Sequence, residues 1–507
     1  MMNIREAKTE IKNALLAYHR KDPEGNYRYP ALRQRPILLM GPPGIGKTAI
    51  MEQVARECGV GLVAYTITHH TRQSAVGLPR IVTRSYDGEE ITITEYTMSE
   101  IVASVYDCME RTGKKEGILF IDEINCVSET LAPTMLQFLQ NKTFGTHRVP
   151  EGWMIVAAGN PAEYNKSVRE FDIVTLDRVR KINVEPDCGV WLEYAREQGV
   201  HGAVLSYLTM KEDRFYQVST RGENRQFVTA RGWEDLSELL WGYEELQLEI
   251  TGDQTVQFLQ EEDTARDFAA YYQLYKKYGE DYQIPEILSG QIGENARKQK
   301  AALAGGASFE ERFTLIRLLL DTLDQSFREC KEEEQFLTAL REALTGPELE
   351  ELIRDRKDSL EVKLRMELLN GREAALEKRV ICRLEEYDLD LRKQHLRDSK
   401  ARFDRIRALF QEEIDRREKQ VKEIGKQLER AFAFAQECFG DGQEMILLVS
   451  GLAGNRRCRD FISEHGCVPF LQYSSLLTDI KPREELLKAC RELREERRGA
   501  DAPGKNR

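Results

Sequence analysis

The amino-acid sequence predicts an α/β fold in its first part and helical structure in the remainder. Up to about residue 187, short β-branched runs alternate with helical segments, a pattern typical of a parallel sheet covered by helices. From about 188 to 290 the chain has helical patterns rich in aromatic residues, and from about 291 onward Gly and Pro thin out while charge becomes dense. We therefore predict three parts: an α/β core over 1–187, a compact helical domain over 188–290 and a charged helical region over 291–507.

Four apolar runs predict the strands of the core. They are Ile37–Met40, Leu62–Ile67, Ile118–Ile121 and Met154–Ala158. Between the second and third runs, residues 80–94 are predicted to form an inserted hairpin, because two β-branched segments flank the turn signal Asp87-Gly88. A second hairpin is predicted around 143–149.

The charged region after residue 291 carries a seam of apolar residues at helical spacing. Its clearest members are Phe403, Ile406, Phe410, Ile414, Val421, Ile424 and Leu428. Arg417 interrupts this seam and the heptad repeat is not sustained, so a long amphipathic helix within a bundle is favoured over a free coiled coil. Residues 499–507 are predicted to form a disordered tail.

Composition limits the classes of function. The 507 residues carry a net charge of −12, which disfavours nucleic acid as the main partner because such proteins usually need a basic surface. The ten cysteines include no C-x-x-C pair and are expected to be reduced thiols. The longest apolar stretch, Met445–Val449, is too short to span a bilayer, and no leader segment is recognisable. We therefore expect a soluble cytoplasmic protein.

A glycine-rich loop joins the first apolar run to a helical pattern. It reads Gly41-Pro42-Pro43-Gly44-Ile45-Gly46-Lys47-Thr48, which is the spacing G-x-x-x-x-G-K-[ST]. Glycines let backbone N–H groups turn toward a phosphate chain, and the start of a helix adds its positive dipole end. Lys47 can then reach the β- and γ-phosphates, and the hydroxyl of Thr48 can bind Mg²⁺. The loop predicts a nucleoside triphosphate site.

Three polar residues follow two later strands of the predicted sheet. Asp122 and Glu123 end the run Ile118–Ile121, and Asn160 follows the run that ends at Ala158. Asp122 is predicted to lie behind the Mg²⁺ held by Thr48, and Glu123 to polarise the attacking water. Strand alternation is expected to point the two acids in different directions. Asn160 can hydrogen-bond both the γ-phosphate and the water.

In this order, the motifs resemble those of the AAA+ ATPases, and most closely the MoxR-type branch, which is similar to the magnesium-chelatase ATPase subunit. The resemblance covers roughly residues 30 to 290. It is carried by Gly41–Thr48, Phe120–Asn125, Ala158–Pro161, Thr175–Arg178 and Thr229–Arg231. It implies an α/β P-loop NTPase (AAA+) core with a parallel sheet, an α-helical lid and an α-helical charged C-terminal region. The hairpin at about 80–94 looks like the insert that this branch carries in its second helix.

The resemblance implies roles for two arginines. Arg178 matches the finger that reaches the nucleotide of the neighbouring subunit, with Arg169 and Arg180 as close rivals. Arg231 matches the sensor arginine of the helical lid. Guanidinium groups suit both roles because they stabilise the charge that spreads during phosphoryl transfer.

Some positions depart from the family pattern. Val179 stands where Phe is usual, Cys126 where Arg is frequent and Gly159 where Gln is frequent, so contacts between subunits can differ. The pair His69-His70 also departs from the acidic residues common there. Adjacent residues on an extended chain face opposite ways, so a polar loop or a partner contact is favoured over a metal site.

The resemblance implies a hydrolase that converts ATP and water to ADP and phosphate with Mg²⁺, in sites between the subunits of a homo-oligomeric ring, expected to be a hexamer. It further implies a chaperone-like remodelling or maturation of a protein client complex, often with a partner that bears a von Willebrand factor A domain. A DNA-linked motor and a non-hydrolysing nucleotide-dependent scaffold stay open as alternatives. The choice of ATP over GTP rests on the resemblance.

Overall fold

The structure is a computed structural model that describes residues 1–68, 77–86, 89–144, 147–164, 168, 171–221, 224–344, 349–365, 371–396 and 398–478. The chain divides into two compact units, residues 1–270 and 271–507. The predicted turn Asp87-Gly88, the pair His69-His70, Arg169 and the tail 499–507 lie outside the described residues.

Unit 1 is built on a six-stranded sheet in which every neighbouring pair is parallel, in the order β1-β10-β2-β9-β6-β3. The strands are β1 Met2–Asn3, β2 Ile37–Met40, β3 Gly61–Thr66, β6 Gly117–Asp122, β9 Trp153–Gly159 and β10 Arg180–Glu185. The four predicted runs are β2, β3, β6 and β9, and the parallel α/β core is confirmed. The apolar runs do not predict β1 or β10, because β1 has two residues and β10 alternates buried Ile182 and Val184 with exposed polar residues.

Helices cover both faces of this sheet. On one face, α1 and α2 pack against Ile37, Leu39 and Phe120. On the other, α3 and α4 pack against Leu38, Leu119 and Ile121. Both faces are buried, which is why the central strands are continuously apolar. The helices of this unit are α1 Ile4–Tyr18, α2 Lys47–Cys58, α3 Glu100–Thr112, α4 Ala132–Asn141, α5 Ile173–Leu176, α6 Cys188–Gln198, α7 Gly202–Met210, α8 Ala230–Glu245, α9 Gly252–Leu259 and α10 Glu262–Tyr282, within which the division between the units falls.

Three antiparallel strand pairs accompany the main sheet. β4 (Pro79–Tyr86) pairs with β5 (Glu89–Tyr96) ahead of α3, where the inserted hairpin is predicted. β7 (Thr143–Phe144) pairs with β8 (His147–Arg148), where the second hairpin is predicted. The third pair joins β11 (Gln217–Arg221) to β12 (Asn224–Val228). No sequence signal anticipates that pair, and it interrupts a segment predicted to be helical.

Unit 2 is helical in the part that the structure describes. After α10 its helices are α11 Ile284–Ser289, α12 Glu294–Gly305, α13 Phe309–Ala343, α14 Leu349–Arg365, α15 Gly371–Lys393, α16 Ser399–Phe439, α17 Gln443–Gly454, α18 Arg456–His465 and α19 Val468–Thr478. The 41-residue helix α16 packs along α13 and against shorter helices, as predicted for a helix in a bundle. Of the predicted seam, Ile424 and Leu428 are buried, whereas Phe403 is 64% exposed. Arg417, which interrupts the seam, lies 3.5 Å from Glu334 of α13. Among the described helices none is both long and apolar enough to cross a membrane.

Lys142 is a buried cation in the core of unit 1. It follows α4 with a positive φ of 53°, and only 3% of its surface is exposed. Its Nζ donates to Gln34 Oε1 at 3.1 Å, and burial lowers the pKa of the ammonium to about 8. A charge held this way destabilises the folded state, because a neutral amide replaces little of its hydration.

We predict that Lys142→Met raises the free energy of unfolding of unit 1 at pH 7 by about 2 kcal/mol. Lowering the pKa from 10.5 to about 8 costs the folded state about 3 kcal/mol, and losing the hydrogen bond to Gln34 offsets about 1 kcal/mol of the gain. Between pH 8 and 10.5 the unfolded chain binds more protons than the folded chain, so wild-type stability rises there and the advantage of the variant shrinks. Urea unfolding at pH 7 and pH 10 measures both effects.

Lys115→Met is the matched control, because Lys115 is exposed and its replacement removes the same charge without relieving burial. The control is expected to show the same change of stability with pH as the wild type. If Lys142→Met did so too, the ammonium would not be buried in solution as it is in the structure.

Candidate nucleotide-binding site

The candidate site lies where three neighbouring strands of the sheet end. In the register of the sheet Met40 of β2 lies opposite Gly159 of β9, and Ile121 of β6 lies opposite Ala157 of β9. The glycine-rich loop follows β2, Asn160 follows β9 and Asp122 is the last residue of β6. All three therefore lie at the carboxyl end of the sheet. The carboxyl ends of parallel strands are the usual location of ligand sites in α/β sheets.

The backbone of the glycine-rich loop requires glycine at particular positions. Gly44 and Gly46 have positive φ values of 73° and 90°. A Cβ on Gly41 would lie 2.8 Å from the carbonyl oxygen of Val184 in β10. The helix α2 begins directly after the loop, at Lys47. The loop therefore has the shape and the following helix that a phosphate cradle needs.

Lys47 is the central cation of the site. Its Nζ donates to the carbonyl oxygens of Gly41 and Pro42 and to Asn160 Oδ1, each at 2.8 Å. All three acceptors are neutral, although the side chain is only 8% exposed. Burial lowers the pKa of Lys47 to about 8, against the opposing effect of the Asp122 charge. A buried cation hydrogen-bonded only to neutral oxygens favours an anionic ligand.

Thr48 and Asp122 form the oxygen pair that could hold a metal ion. Thr48 Oγ1 donates to Asp122 Oδ2 at 3.1 Å. A hydroxyl and a carboxylate suit Mg²⁺, which usually takes one or two protein oxygens and completes its shell with water and substrate phosphates. Among the described residues no group of three or more His, Cys, Asp or Glu side chains is arranged to hold a metal. The donor set therefore fits a metal bound together with a nucleotide.

Glu123 lies outside the strand, which corrects one expectation. β6 ends at Asp122, and Glu123 has a positive φ of 56° at the start of a 3₁₀ turn, Ile124–Cys126. The direction of the Glu123 side chain is therefore set by this turn and not by strand alternation. The left-handed conformation costs a non-glycine residue about 1 kcal/mol. The N–H of Glu123 donates to Asp122 Oδ1 at 2.9 Å, which helps to hold it there.

Asn160 is held by a residue that received no role from the sequence. Asn125 lies in the same 3₁₀ turn, and its Nδ2 donates to the carbonyl oxygen of Asn160 at 2.7 Å. A Cβ on Gly159 would lie 2.5 Å from Asn125 Oδ1, so glycine there leaves room for that side chain. Gly159 departs from the pattern of the family that the sequence resembles, and this departure leaves the room that Asn125 occupies.

The start of helix α8 lies against the glycine-rich loop. Thr229 caps α8 by accepting from the N–H of Gly232, and a Cβ on Gly44 would lie 3.0 Å from its Cβ. Arg231, in the first turn of α8, is exposed, and its positive charge contributes to the lowered pKa of Lys47. Tyr216, which sequence reasoning did not single out, donates to the carbonyl oxygen of Pro43 at 3.0 Å.

The candidate finger arginines differ in their surroundings. Arg178 lies in the turn after α5 and is exposed. Within the described part of the chain its guanidinium forms no hydrogen bond or ion pair. Arg180, in β10, forms an ion pair with Glu10 of α1 in the same chain.

Comparison with known proteins agrees with this geometry. Residues 37–176 match the family model described as "ATPase family associated with various cellular activities (AAA)". No curated protein was found to match the chain. The matched segment includes the glycine-rich loop, Asp122, Glu123 and Asn160, and it ends just before Arg178. Residues 37–176 are therefore similar to the ATPase domains that this family model describes, and this similarity supports a nucleotide-dependent ATPase.

Proposed function

We propose that this chain hydrolyses ATP to ADP and phosphate with Mg²⁺ in the site at the ends of β2, β6 and β9. The observation that carries the proposal is the 3.1 Å contact between Thr48 and Asp122, beside a buried Lys47 with neutral partners only. Hydrolysis of a nucleoside triphosphate needs phosphate binding, a metal ligand and a group that orients water. These residues and Glu123 offer all three at one edge of the sheet.

Each residue has a distinct role in this proposal. The N–H groups of the loop 41–48 and the Lys47 ammonium hold the phosphates, and Thr48 and Asp122 hold the ion. A bound Mg²⁺ would neutralise charge that develops on the phosphate oxygens. Glu123 accepts a proton from the attacking water, and Asn160 orients that water against the γ-phosphate. To donate to a phosphate, the Lys47 ammonium must release one of its three acceptors, and release of Asn160 Oδ1 would free this amide for the nucleotide.

We further propose that the site is completed by Arg178 of a neighbouring copy in a ring, expected to be a hexamer. Two features support Arg178 over its rival Arg180: Arg178 is exposed, whereas Arg180 pairs with Glu10 in its own chain. An unpaired guanidinium can enter a second subunit without first breaking an ion pair. The ring itself follows from the family resemblance.

The motion that hydrolysis drives is proposed to pass through the lid. Contacts of Thr229 and Tyr216 with the loop, and the charge of Arg231 near Lys47, support this route. By its resemblance to the MoxR-type branch, the ring would act as a chaperone that remodels a protein client, with a von Willebrand factor A domain as the candidate partner. The hairpin β4–β5 and the helical region after residue 291 are the candidate contact elements.

We predict that Glu123→Gln lowers kcat for ATP hydrolysis by about 10² to 10⁴, because the amide cannot accept the proton of the water. The dissociation constant for ATP is expected to change by less than about threefold, because among the described residues no hydrogen bond joins the Glu123 side chain to the loop or to the Thr48–Asp122 pair. Phosphate release and binding of a fluorescent ATP analogue measure the two quantities.

The control for that variant is Glu110→Gln, which removes the same charge from an exposed position on α3. It is expected to hydrolyse ATP as the wild type does. If the wild type itself turned over no faster than Lys47→Ala, the chain would be a nucleotide-dependent scaffold and not an ATPase.

We predict that Arg178→Ala and Glu123→Gln are each inactive alone but recover activity when mixed. Arg178→Ala is expected to lower kcat by about 10³ or more, as loss of a finger arginine does. In a mixed ring, a subunit that keeps Glu123 can face a neighbour that keeps Arg178. Random assembly at equal amounts restores about a quarter of the interfaces, since two conditions of one half each must be met. Phosphate release after mixing and reassembly measures the recovery.

Arg180→Ala, mixed in the same way with Glu123→Gln, tests the rival arginine. Its activity alone is expected to stay within about tenfold of the wild type, because Arg180 pairs within its own chain. Co-assembled rings of Arg178→Ala and Glu123→Gln that remained inactive would rule out a trans role for Arg178.

A further inference from the structure

We propose that Asn125 is a positioning residue that couples Asn160 to Glu123 during ATP hydrolysis. This inference rests on the proposed function, since it assigns a role within the same site. Asn125 contacts neither the loop nor the Thr48–Asp122 pair among its described hydrogen bonds. Its effect would therefore pass through Asn160, which it contacts, and through Glu123, which lies two residues before it in the sequence.

Asn125 bridges the carboxyl ends of β6 and β9. The side chain is only 2% exposed and belongs to the 3₁₀ turn that follows Glu123 directly. Its Nδ2 donates to the main-chain oxygen of Asn160 at 2.7 Å. A carbonyl oxygen can only accept, so this contact fixes which end of the amide faces Asn160. One hydrogen bond thus joins the turn after β6 to the residue after β9.

The absence of a side chain at Gly159 leaves space for the Asn125 amide. A Cβ on Gly159 would lie 2.5 Å from Asn125 Oδ1 and 2.8 Å from its Cγ. Oδ1 is buried and accepts no hydrogen bond from the described residues. A buried acceptor without a partner destabilises a fold, so an apolar side chain would suit packing better. What an apolar side chain could not supply is the N–H group with which Asn125 donates to Asn160.

Glu123 directly precedes the turn that contains Asn125. Its left-handed backbone is a strained conformation that neighbouring contacts must hold. Asp122 Oδ1 holds the N–H of Glu123 from the strand side at 2.9 Å. On the other side, Asn125 ties the turn to Asn160. The carbonyl oxygen of Glu123 also accepts from the N–H of Cys126 at 2.8 Å within the turn. Loss of the Asn125 donor would remove the tie between this turn and Asn160 and leave only the contacts inside the turn and with Asp122.

The coupling follows from the partner of Asn160. Its Oδ1 accepts from Lys47 at 2.8 Å, and in this proposal a phosphate displaces this contact rather than those of the ammonium with the carbonyl oxygens of Gly41 and Pro42. The Asn160 side chain can then turn toward the nucleotide while Asn125 keeps its main chain fixed relative to the turn. The carboxylate of Glu123 and the amide of Asn160 are thereby held in a constant relation when both face the same water.

The test is Asn125→Asp, which keeps size and shape but replaces the donor with an oxygen. We expect kcat to fall by about 10- to 100-fold, while the dissociation constant for a fluorescent ATP analogue changes by less than about threefold. Asn141→Asp, an exposed asparagine at the end of α4, is the matched control for the added charge and is expected to retain wild-type kcat. The same preparations are compared by thermal unfolding.

Two further variants separate the donor from packing. Gly159→Ala should displace an intact Asn125 side chain and lower kcat in the same way. The double variant Asn125→Ala/Gly159→Ala fills part of the vacated space without supplying a donor, so we expect it to stay as slow as Asn125→Ala. Recovery of kcat in the double variant would show that Asn125 only fills space and would overturn the proposal.

The positioning role of Asn125 can be disproved while the proposed ATP hydrolysis still holds. It is overturned if Asn125→Asp, folded and binding the ATP analogue, hydrolyses ATP at the wild-type rate. It is also overturned if nucleotide binding falls in proportion to kcat, which indicates a structural role. If the wild type hydrolyses no ATP, the proposed function fails and the coupling of Asn160 to Glu123 in hydrolysis fails with it.

Discussion

The parallel pairing of β2 with β9 and of β9 with β6 is the constraint on which the site depends. These strands are buried on both faces, so their register is fixed by the side chains that they contribute to two cores. A shift of one residue would move Leu38 into the core on the opposite face and disrupt the packing of both cores. The same register puts the loop after β2, Asn160 after β9 and Asp122 at the end of β6 within one hydrogen-bond network.

In this network the positive charge of Lys47 has no negatively charged hydrogen-bond partner among the described residues. Lys47 is buried among neutral oxygens, and the positive charge of Arg231 makes its protonated state less favourable still. Asp122 and Glu123 act in the opposite sense, but Asp122 is engaged by Thr48 and by the N–H of Glu123. A triphosphate with Mg²⁺ would supply the negative charge near Lys47 and a cation near Asp122, which are the two charges that this arrangement favours.

The sequence predicted those parts of the fold and of the site that local patterns encode. Continuous apolar runs identified the four central strands, and the spacing of the loop identified the cradle around Lys47. The conformation of Glu123 could not be predicted, because a positive φ is imposed by the turn and its hydrogen bonds and not by residue type. The contacts of Asn125 and Tyr216 join residues far apart in the chain, which a single sequence does not reveal. The strand pair β11–β12 lacks the apolar content that marks a strand.

The position of the Glu123 carboxylate is therefore set by backbone conformation more than by side-chain packing. An acid that followed the strand would take its direction from the pleat, which cannot respond to a ligand without moving the sheet. Glu123 directly precedes a short turn, and in our proposal Asp122 and Asn125 keep it in a constant relation to the main chain of Asn160. Asn160 Oδ1 also accepts from Lys47, so in this proposal a phosphate on the loop would free the Asn160 side chain while Asn125 keeps the acid in place, without any rearrangement of the core.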